Sequence, residues 1–434
     1  MLDLFAGAGG LSVGFHRAGY EVLAGSDIDP DALATYAGNF PKAESIHGDI
    51  RKPDVKERVF HWAAKADVIV GGPPCQAFSQ VRNHTRIIDD PRNSLYKEFV
   101  DVIRTARPKA FLVENVTGMD QMGVREQIRQ DLTVDGAYRV KSQVVDAADF
   151  GVPQTRKRLL FIGVREDLDV DPPDVRGSFA IGAVELCRLP LRRGWKYELR
   201  TCGELVFGGL AKSLQDPEDL SVVSAEQALS DLETVCADNR NEILDYAAIG
   251  PARTAYQRLM RQGAGEHIVN VSVPRINDDT MLRLKAIPPG GNYRDLPEDL
   301  TARYITGQKW GQSNGTGQLS RKHFYAYRKL HPCIWAWTLN TKADSVYHYK
   351  FPRALTVREF ARLQSFPDWF VVKTDLRKGM IEGRYDGGAA HSRYRQIGNA
   401  VPPLLAEAVA RALTEVLNTT KTRPRQSPIA ILAA

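Results

Sequence analysis

Asp67-Val68-Ile69-Val70-Gly71-Gly72-Pro73-Pro74-Cys75-Gln76-Ala77-Phe78-Ser79 is the stretch that decides the fold. Val-Ile-Val reads as a strand buried on both faces, as in a parallel sheet, and two glycines followed by two prolines forbid its continuation. Cys75 therefore falls on a stiff loop just past a strand's C-terminal end, where open α/β sheets bind their ligands. The two prolines restrict the backbone ahead of the sulfur, which suits a nucleophile held to one direction of attack. A lone cysteine is more commonly a small buried hydrophobe, so the assignment rests on its flanks and on the rest of the chain.

The first residues repeat the strand-then-glycine pattern. Met1 to Phe5 forms a short apolar strand, and Ala6-Gly7-Ala8-Gly9-Gly10 turns into a helix through Leu11, Phe15 and Ala18. Glycines there let main-chain amides approach a ligand at the positive end of a helix. A dinucleotide fingerprint would need a third glycine where Ser12 stands. A second strand, Tyr20 to Ser26, leads to Asp27-Ile28-Asp29-Pro30. Asp27, about 20 residues past the glycines, is placed to grip a ribose diol. Asp29 is read mainly as the cap of the next helix, with Pro30 at its first position.

Further strands carry further polar groups to the same edge. Phe111-Leu112-Val113 delivers Glu114, with a helix cap as the competing role. Gln154-Thr155-Arg156-Lys157-Arg158 precedes the apolar run Leu159 to Val164, and alternation puts Arg156 and Arg158 on one face. A solvated, charge-guarded strand edge is the alternative there.

Gly-Gly-Pro-Pro-Cys-Gln-x-Phe-Ser and Asp-Leu-Phe-Ala-Gly-x-Gly-Gly resemble motifs of the DNA cytosine-5 methyltransferases of prokaryotic type. Glu114-Asn115-Val116, Gly151-Val-Pro-Gln-x-Arg-x-Arg and Gln396-Ile-Gly-Asn-Ala-Val match others, in the family's order, over about residues 1–164 and 351–411. The resemblance implies S-adenosylmethionine as cofactor, S-adenosylhomocysteine as product and no metal. It implies Cys75 as the nucleophile at cytosine C6, and Glu114 supplying a proton or hydrogen bond at N3 from a closed apolar pocket that raises its pKa. Arg158 would meet the base O2, with Arg156 beside it in the catalytic set, and the resemblance also gives Gln154 and Arg156 a part in supporting the loop or backbone. On the cofactor it implies Phe5 against adenine, Gly7 and Gly9 in the turn, and Asp27 where the family usually has glutamate. Asp49 of Gly48-Asp49-Ile50 would accept from the adenine amino group, and Ile50, Pro74, Asn399 and Val401 would complete the pocket. C5 is inaccessible in a stacked duplex, so the base must be extruded. Ser79 and Arg82, in a polar loop running to Arg86, with Gln154 and Arg328, are the candidate contacts to double-stranded DNA.

The expected fold is α/β: a doubly wound, Rossmann-like catalytic domain over 1–164 plus 351–420. Interrupting it is a smaller, irregular target-recognition domain over 165–350, and 421–434 is a tail. Basic and aromatic residues interleave at Arg321 to Lys329 in that insert. Thr356 and Glu359 form a capping box that opens a helix in a motif taken as structural. In the last helix Val401, Leu405, Ala408, Val409, Ala412 and Leu413 share a face.

Composition agrees. The 434 residues, 43% apolar and 25% charged, describe an ordinary globular protein, with no run of the roughly 18 apolar residues a membrane helix needs. The five cysteines (75, 187, 202, 236 and 333) include no C-x-x-C pair, which argues against zinc or a disulfide framework. A net charge of +6 permits an anionic partner. The expectation is a cytoplasmic enzyme, monomeric on DNA, with a cognate restriction endonuclease acting separately. The rivals are a tRNA cytosine-5 methyltransferase, a nicotinamide-dependent dehydrogenase and a binding-only descendant.

Overall fold

The structure, a computed structural model, describes residues 1–74, 94–118, 124–177, 184–190, 195–201, 223–235, 238–297, 299–300, 327–374 and 389–419. Cys75, Ser79, Arg82, the stretch Arg321 to Ala326 and the tail 421–434 lie outside the described residues.

The apolar runs become short buried strands: β1 (Leu2–Leu4), β2 (Ala24–Asp27), β3 (Glu44–His47), β4 (Val68–Gly71) and β5 (Ala110–Val116). They pair in parallel, with β1 between β2 and β4. Two longer strands, β6 (Tyr138–Asp146) and β7 (Lys157–Arg165), complete a seven-stranded sheet of order β3-β2-β1-β4-β5-β7-β6. β7 runs antiparallel to both neighbours. A connection of only ten residues links β6 to β7, too short for a helical crossover, so the chain returns as a hairpin.

Burial on both faces explains why these strands lack polar alternation. In β4 and β5, Val68, Val70, Ala110 and Leu112 join one core, whereas Ile69, Phe111 and Val113 join the other. The second core is roofed by α3 (Pro53–Ala63), α4 (Ser94–Ala106) and α5 (Arg125–Asp131). The Phe111 ring packs edge-on to Phe99 and Tyr138. Its register partner is Gly163, where a methyl group would sit 2.1 Å from the ring.

The first core is covered by α1 (Gly10–Arg17) and α2 (Pro30–Asn39), with Asp29 capping α2 through bonds from the Asp31 and Ala32 amides. It continues without a break into residues far along the chain. These come from α6 (Ala225–Leu229), α7 (Ala255–Arg261), α8 (Val357–Leu363) and α9 (Pro403–Asn418). Two strand pairs, Val184–Pro190 with Trp195–Thr201 and Ile243–Asp245 with His267–Val269, lie outside the main sheet.

The capping box at Thr356 and Glu359 opens α8. This short helix holds three arginine side chains in the interior. Arg353, just before it, grips Glu359 with two bonds of 2.7 Å. Burial alone would raise the Glu359 pKa, but the facing guanidinium outweighs it and holds the carboxyl at about 2. Arg358 donates to the carbonyls of Val269, Pro367 and Phe370. Arg362 forks onto Asp368 at 2.9 and 2.6 Å and reaches Asp231 at 2.5 Å. The Arg362–Asp231 bond spans 131 positions of sequence.

The last helix, α9, buries Leu405, Ala406, Val409, Ala410 and Leu413. Its apolar face is thus turned one position from the expected one, leaving Ala408 and Ala412 half-buried. A methyl at Gly14 would lie 2.4 Å from the Ala406 side chain, so glycine lets α1 and α9 approach closely. Arg17 pairs with Glu407 at 2.6 Å across the same contact.

Candidate active site

β1 and β4 are neighbours, yet the chain leaves β1 for a helix on one face and leaves β4 for a helix on the other. A crevice opens at such a reversal, beyond the carboxyl ends of the strands. Register fixes what borders it. Leu4 lies opposite Gly71, and Gly71 opposite Val113. Phe5, Gly72 and Glu114 therefore emerge at one level. Because β7 is antiparallel, its first residues lie at that edge too, with Val116 opposite Arg158.

Beside β1 the Gly-rich turn is closed by Asp27, whose Oδ2 accepts from the Gly7 amide at 2.7 Å while Oδ1 accepts from the Asp29 amide at 2.8 Å. Burial pushes the Asp27 carboxyl up. Gly7, at φ +54°, has open space where a side chain would stand. Gly9, at φ +100°, is different: a Cβ would meet Phe40 at 2.9 Å, and its amide donates to the Ala6 carbonyl. Its role here is conformational. Phe5, half-buried, also has positive φ, +57°.

The adjoining loops follow β2 and β3. The Gly48 amide bonds the Asp27 carbonyl, joining them. The Asp49 carboxylate is held by Arg51 through Nε and Nη2, the shortest bond 2.6 Å, and those hydrogen bonds lower its pKa. Ile50 is a core residue, 4% exposed, so only its main chain faces outward chemistry. Ile28, unremarked in the sequence, stands 63% exposed beside these loops. A large apolar side chain between two aspartates was the available signal.

On the β4 side, Glu114 Oε1 meets Arg158 Nε at 2.5 Å, both side chains nearly buried. The other oxygen, Oε2, lies 3.1 Å from where a Gly72 Cβ would be. The carboxylate thus lies against the loop that leads to Cys75. The expectation of an apolar pocket for Glu114 is corrected: β5–β7 pairing puts a guanidinium beside it. Asn115 turns the other way and donates to the Pro73 carbonyl at 3.0 Å. This clamp was missed, although the Asn follows the Glu directly on a buried strand. Pro74 is half-buried next to it.

Two other expectations are corrected. Gln154 was a candidate DNA contact, but it is fully buried, donating to the Leu363 carbonyl and Gln364 and accepting from the Leu339 amide. Arg156 was placed in the catalytic set beside Arg158. Its guanidinium instead donates to the Leu339 and Gly398 carbonyls, 3% exposed, and burial lowers its pKa well below the usual value. Position 156 precedes β7, so strand alternation does not govern it.

The helix Ala389–Asn399 and the stretch that follows it run up to the start of α1. Asn399 is exposed, and Val401 is buried, with its carbonyl 2.2 Å from the position of a Gly10 Cβ. Arg328 is half-buried, its guanidinium 5.5 Å from the Trp337 ring centroid, and Lys329 turns inward to the Leu284 and Ile287 carbonyls. No cluster of three or more metal-binding side chains occurs among the described residues. No helix among them is long and apolar enough to cross a membrane.

Asp3 lies beneath the glycine turn, fully buried, with Oδ2 accepting from Ser12 at 2.7 Å and Oδ1 unpartnered. Burial pushes its carboxyl up to about 7, against the lowering effect of the Ser12 bond. The folded state therefore holds this proton more tightly than the unfolded chain. Its contribution is most favourable below pH 4 and is lost as pH rises to about 7, a cost of about 4 kcal/mol. Asp3→Asn is expected to gain stability over the wild type progressively from pH 4 to 7 and level off above, read by urea unfolding. A pH-independent difference would show that Asp3 titrates normally.

A family model described as C-5 cytosine-specific DNA methylase matches residues 1–415. The Type II methyltransferase M1.HphI of Haemophilus parahaemolyticus is 31% identical over 422 residues, covering 96% of this chain and 86% of that protein. M.DdeI of Desulfomicrobium norvegicum is 31% identical, with 95% and 88% covered. A crystal structure described as a DNA modification methyltransferase encoded within an E. coli prophage superposes with a TM-score of 0.56 at 26% identity, covering 96% of this chain and 99% of that one.

Proposed function

The chain belongs to the C-5 cytosine-specific DNA methylase family, whose Type II restriction-modification members it resembles over nearly its whole length, and from that premise we propose how its residues divide the work. It is a DNA (cytosine-5-)-methyltransferase. The proposal concerns the covalent route, the extrusion of the base and the residues at each step.

S-adenosylmethionine, when bound, supplies an electrophilic methyl on a sulfonium sulfur and leaves as S-adenosylhomocysteine. The open space over Gly7 and the exposed Ile28 near it fit a nucleoside at the β1–β2 edge. Asp27 has a lone pair left on each oxygen for the ribose diol, and Phe5, Ile28 and Asp49 border the adenine. The Cys75 thiolate adds to C6 of an extruded cytosine, opening the 5,6 double bond so that C5 becomes nucleophilic. Once C5 carries the methyl group, loss of its proton and elimination restore the double bond and release the thiolate.

Charge that develops on the ring is met by the Glu114–Arg158 pair. Arg158 keeps donors for the base O2 while its Nε holds Glu114 toward N3. Ser79 and Arg82 contact the DNA, as does Arg328 from the 165–350 insert, the proposed target-recognition domain. The enzyme acts as a monomer in the cytoplasm, alongside a separate cognate endonuclease.

The observation that carries this reading is the Glu114–Arg158 pair lying against Gly72, three residues before the cysteine. Tritiated S-adenosylmethionine offered with duplex DNA or with tRNA tests it. Label is expected in DNA; label in tRNA alone would overturn the assignment.

A further inference from the structure

Asn399 is the last residue of the helix Ala389–Asn399, Val401 lies in the short irregular stretch after it, and α9 begins at Pro403. The main chain of that stretch must nevertheless take one path, because the Val401 carbonyl packs on Gly10 at the start of α1. The Ile397 carbonyl keeps one bond, from the Ala400 amide at 3.1 Å. Carbonyls at a helix end lose their usual donors and need others when buried.

One side chain supplies two of them. Gln364, fully buried at the end of α8, donates from Nε2 to the Ile397 carbonyl at 3.1 Å and to the Ala400 carbonyl at 2.8 Å. Its own oxygen accepts from Gln154, which fixes which way the amide faces. Arg156 takes the carbonyl between them, Gly398, at 2.8 Å. Ser365, at φ +65°, accepts from the Leu404 amide at 3.1 Å. Gln364 is therefore the only residue among these that grips the bend on both sides of Asn399.

We infer that Gln364 is a positioning residue for cofactor binding: its amide sets the 397–400 backbone so that Asn399 and Val401 face the glycine turn. The inference rests on the reading of Asn399 and Val401 as completing the cofactor pocket that the glycine turn opens. Gln364 touches neither substrate. Its effect passes through the two carbonyls, so it acts on the methyl donor's side of the crevice and leaves the DNA side alone.

The test uses the full-length enzyme with Gln364→Met, which keeps the volume and removes both donors. Calorimetry gives the dissociation constant for S-adenosylmethionine, and steady-state kinetics give KM for cofactor and for DNA. Loss of two hydrogen bonds is expected to weaken cofactor binding and raise its KM by about tenfold, with KM for DNA changed less than about twofold. A folded variant with unchanged cofactor affinity overturns the inference, as does an equal rise in both KM values, the mark of a general structural role. Should Gln364→Met not fold, Gln154→Met leaves Gln364 without its orienting partner and is judged by the same two constants. Asn399→Ala is the reference. If it too leaves cofactor affinity unchanged, the placement of the cofactor fails and the inference with it. If Asn399→Ala weakens binding and the Gln364 variant does not, the inference alone fails.

Discussion

Cys75→Ala is expected to reduce methyl transfer to cytosine by on the order of 10⁴-fold or more, while S-adenosylmethionine and DNA still bind. Loss of a nucleophile removes the covalent route altogether, and what survives is only the catalysis that binding and electrostatics provide. Cytosine C5 has little reason to take a methyl group without prior addition at C6, so the residual rate here is expected to be very low. The measurement is label transfer to duplex DNA, paired with filter binding. An oligonucleotide with 5-fluorocytosine at the target sharpens it, because fluorine cannot depart as a proton does. The wild type is expected to remain covalently attached to that strand and the variant to release it. Retained turnover in Cys75→Ala would end the nucleophile assignment, and a crosslink in the variant would place the nucleophile elsewhere.

The second large effect is on stability. Arg362→Met is expected to destabilise the fold by about 3–5 kcal/mol, the scale for removing one partner of a buried ion pair. Arg362 joins two fully buried aspartate sites, Asp231 and Asp368. Arg261 still reaches Asp231 and Tyr246 still donates to Asp368, so the loss falls short of two bare charges. Arg362→Lys keeps the charge but cannot fork onto Asp368, and an intermediate loss is expected. Urea unfolding at neutral pH measures both. A change below 1 kcal/mol in Arg362→Met would mean that the aspartates find other partners.

How much of this was readable in one sequence depended on the range of the interaction. The glycine turn, the strand ending at Gly71 and the capping box at Thr356 are set by neighbours within a few positions, and each was legible. Asp29 as a cap was legible for the same reason. Gln154 was not. A glutamine just before Arg156, Lys157 and Arg158 looks like a DNA contact, and its partners at Leu339 and Gln364 come from positions 185 and 210 further on. Arg358 and Arg362 present the same difficulty: on a short helix they resemble a solvated face, yet both are fully buried. The strand Tyr138–Asp146 passed unnoticed because polar residues on its half-exposed face dilute the apolar signal. Glu114 was correctly brought to the crevice, but its guanidinium neighbour depends on β7 running antiparallel, which no local pattern encodes.

The Asn115 clamp on Pro73 lies upstream of the sulfur, between the sheet and the start of the loop. The anchorage of the loop's first residues is thereby separated from whatever follows along the chain. If Cys75 is the nucleophile proposed above, residues beyond it are expected to tolerate changes in length and composition, as a protein adapting to a new stretch of DNA would require, with the clamp before it intact. Loop exchange between related enzymes is accordingly a feasible engineering route, provided the graft begins after position 75 and leaves Asn115 in place.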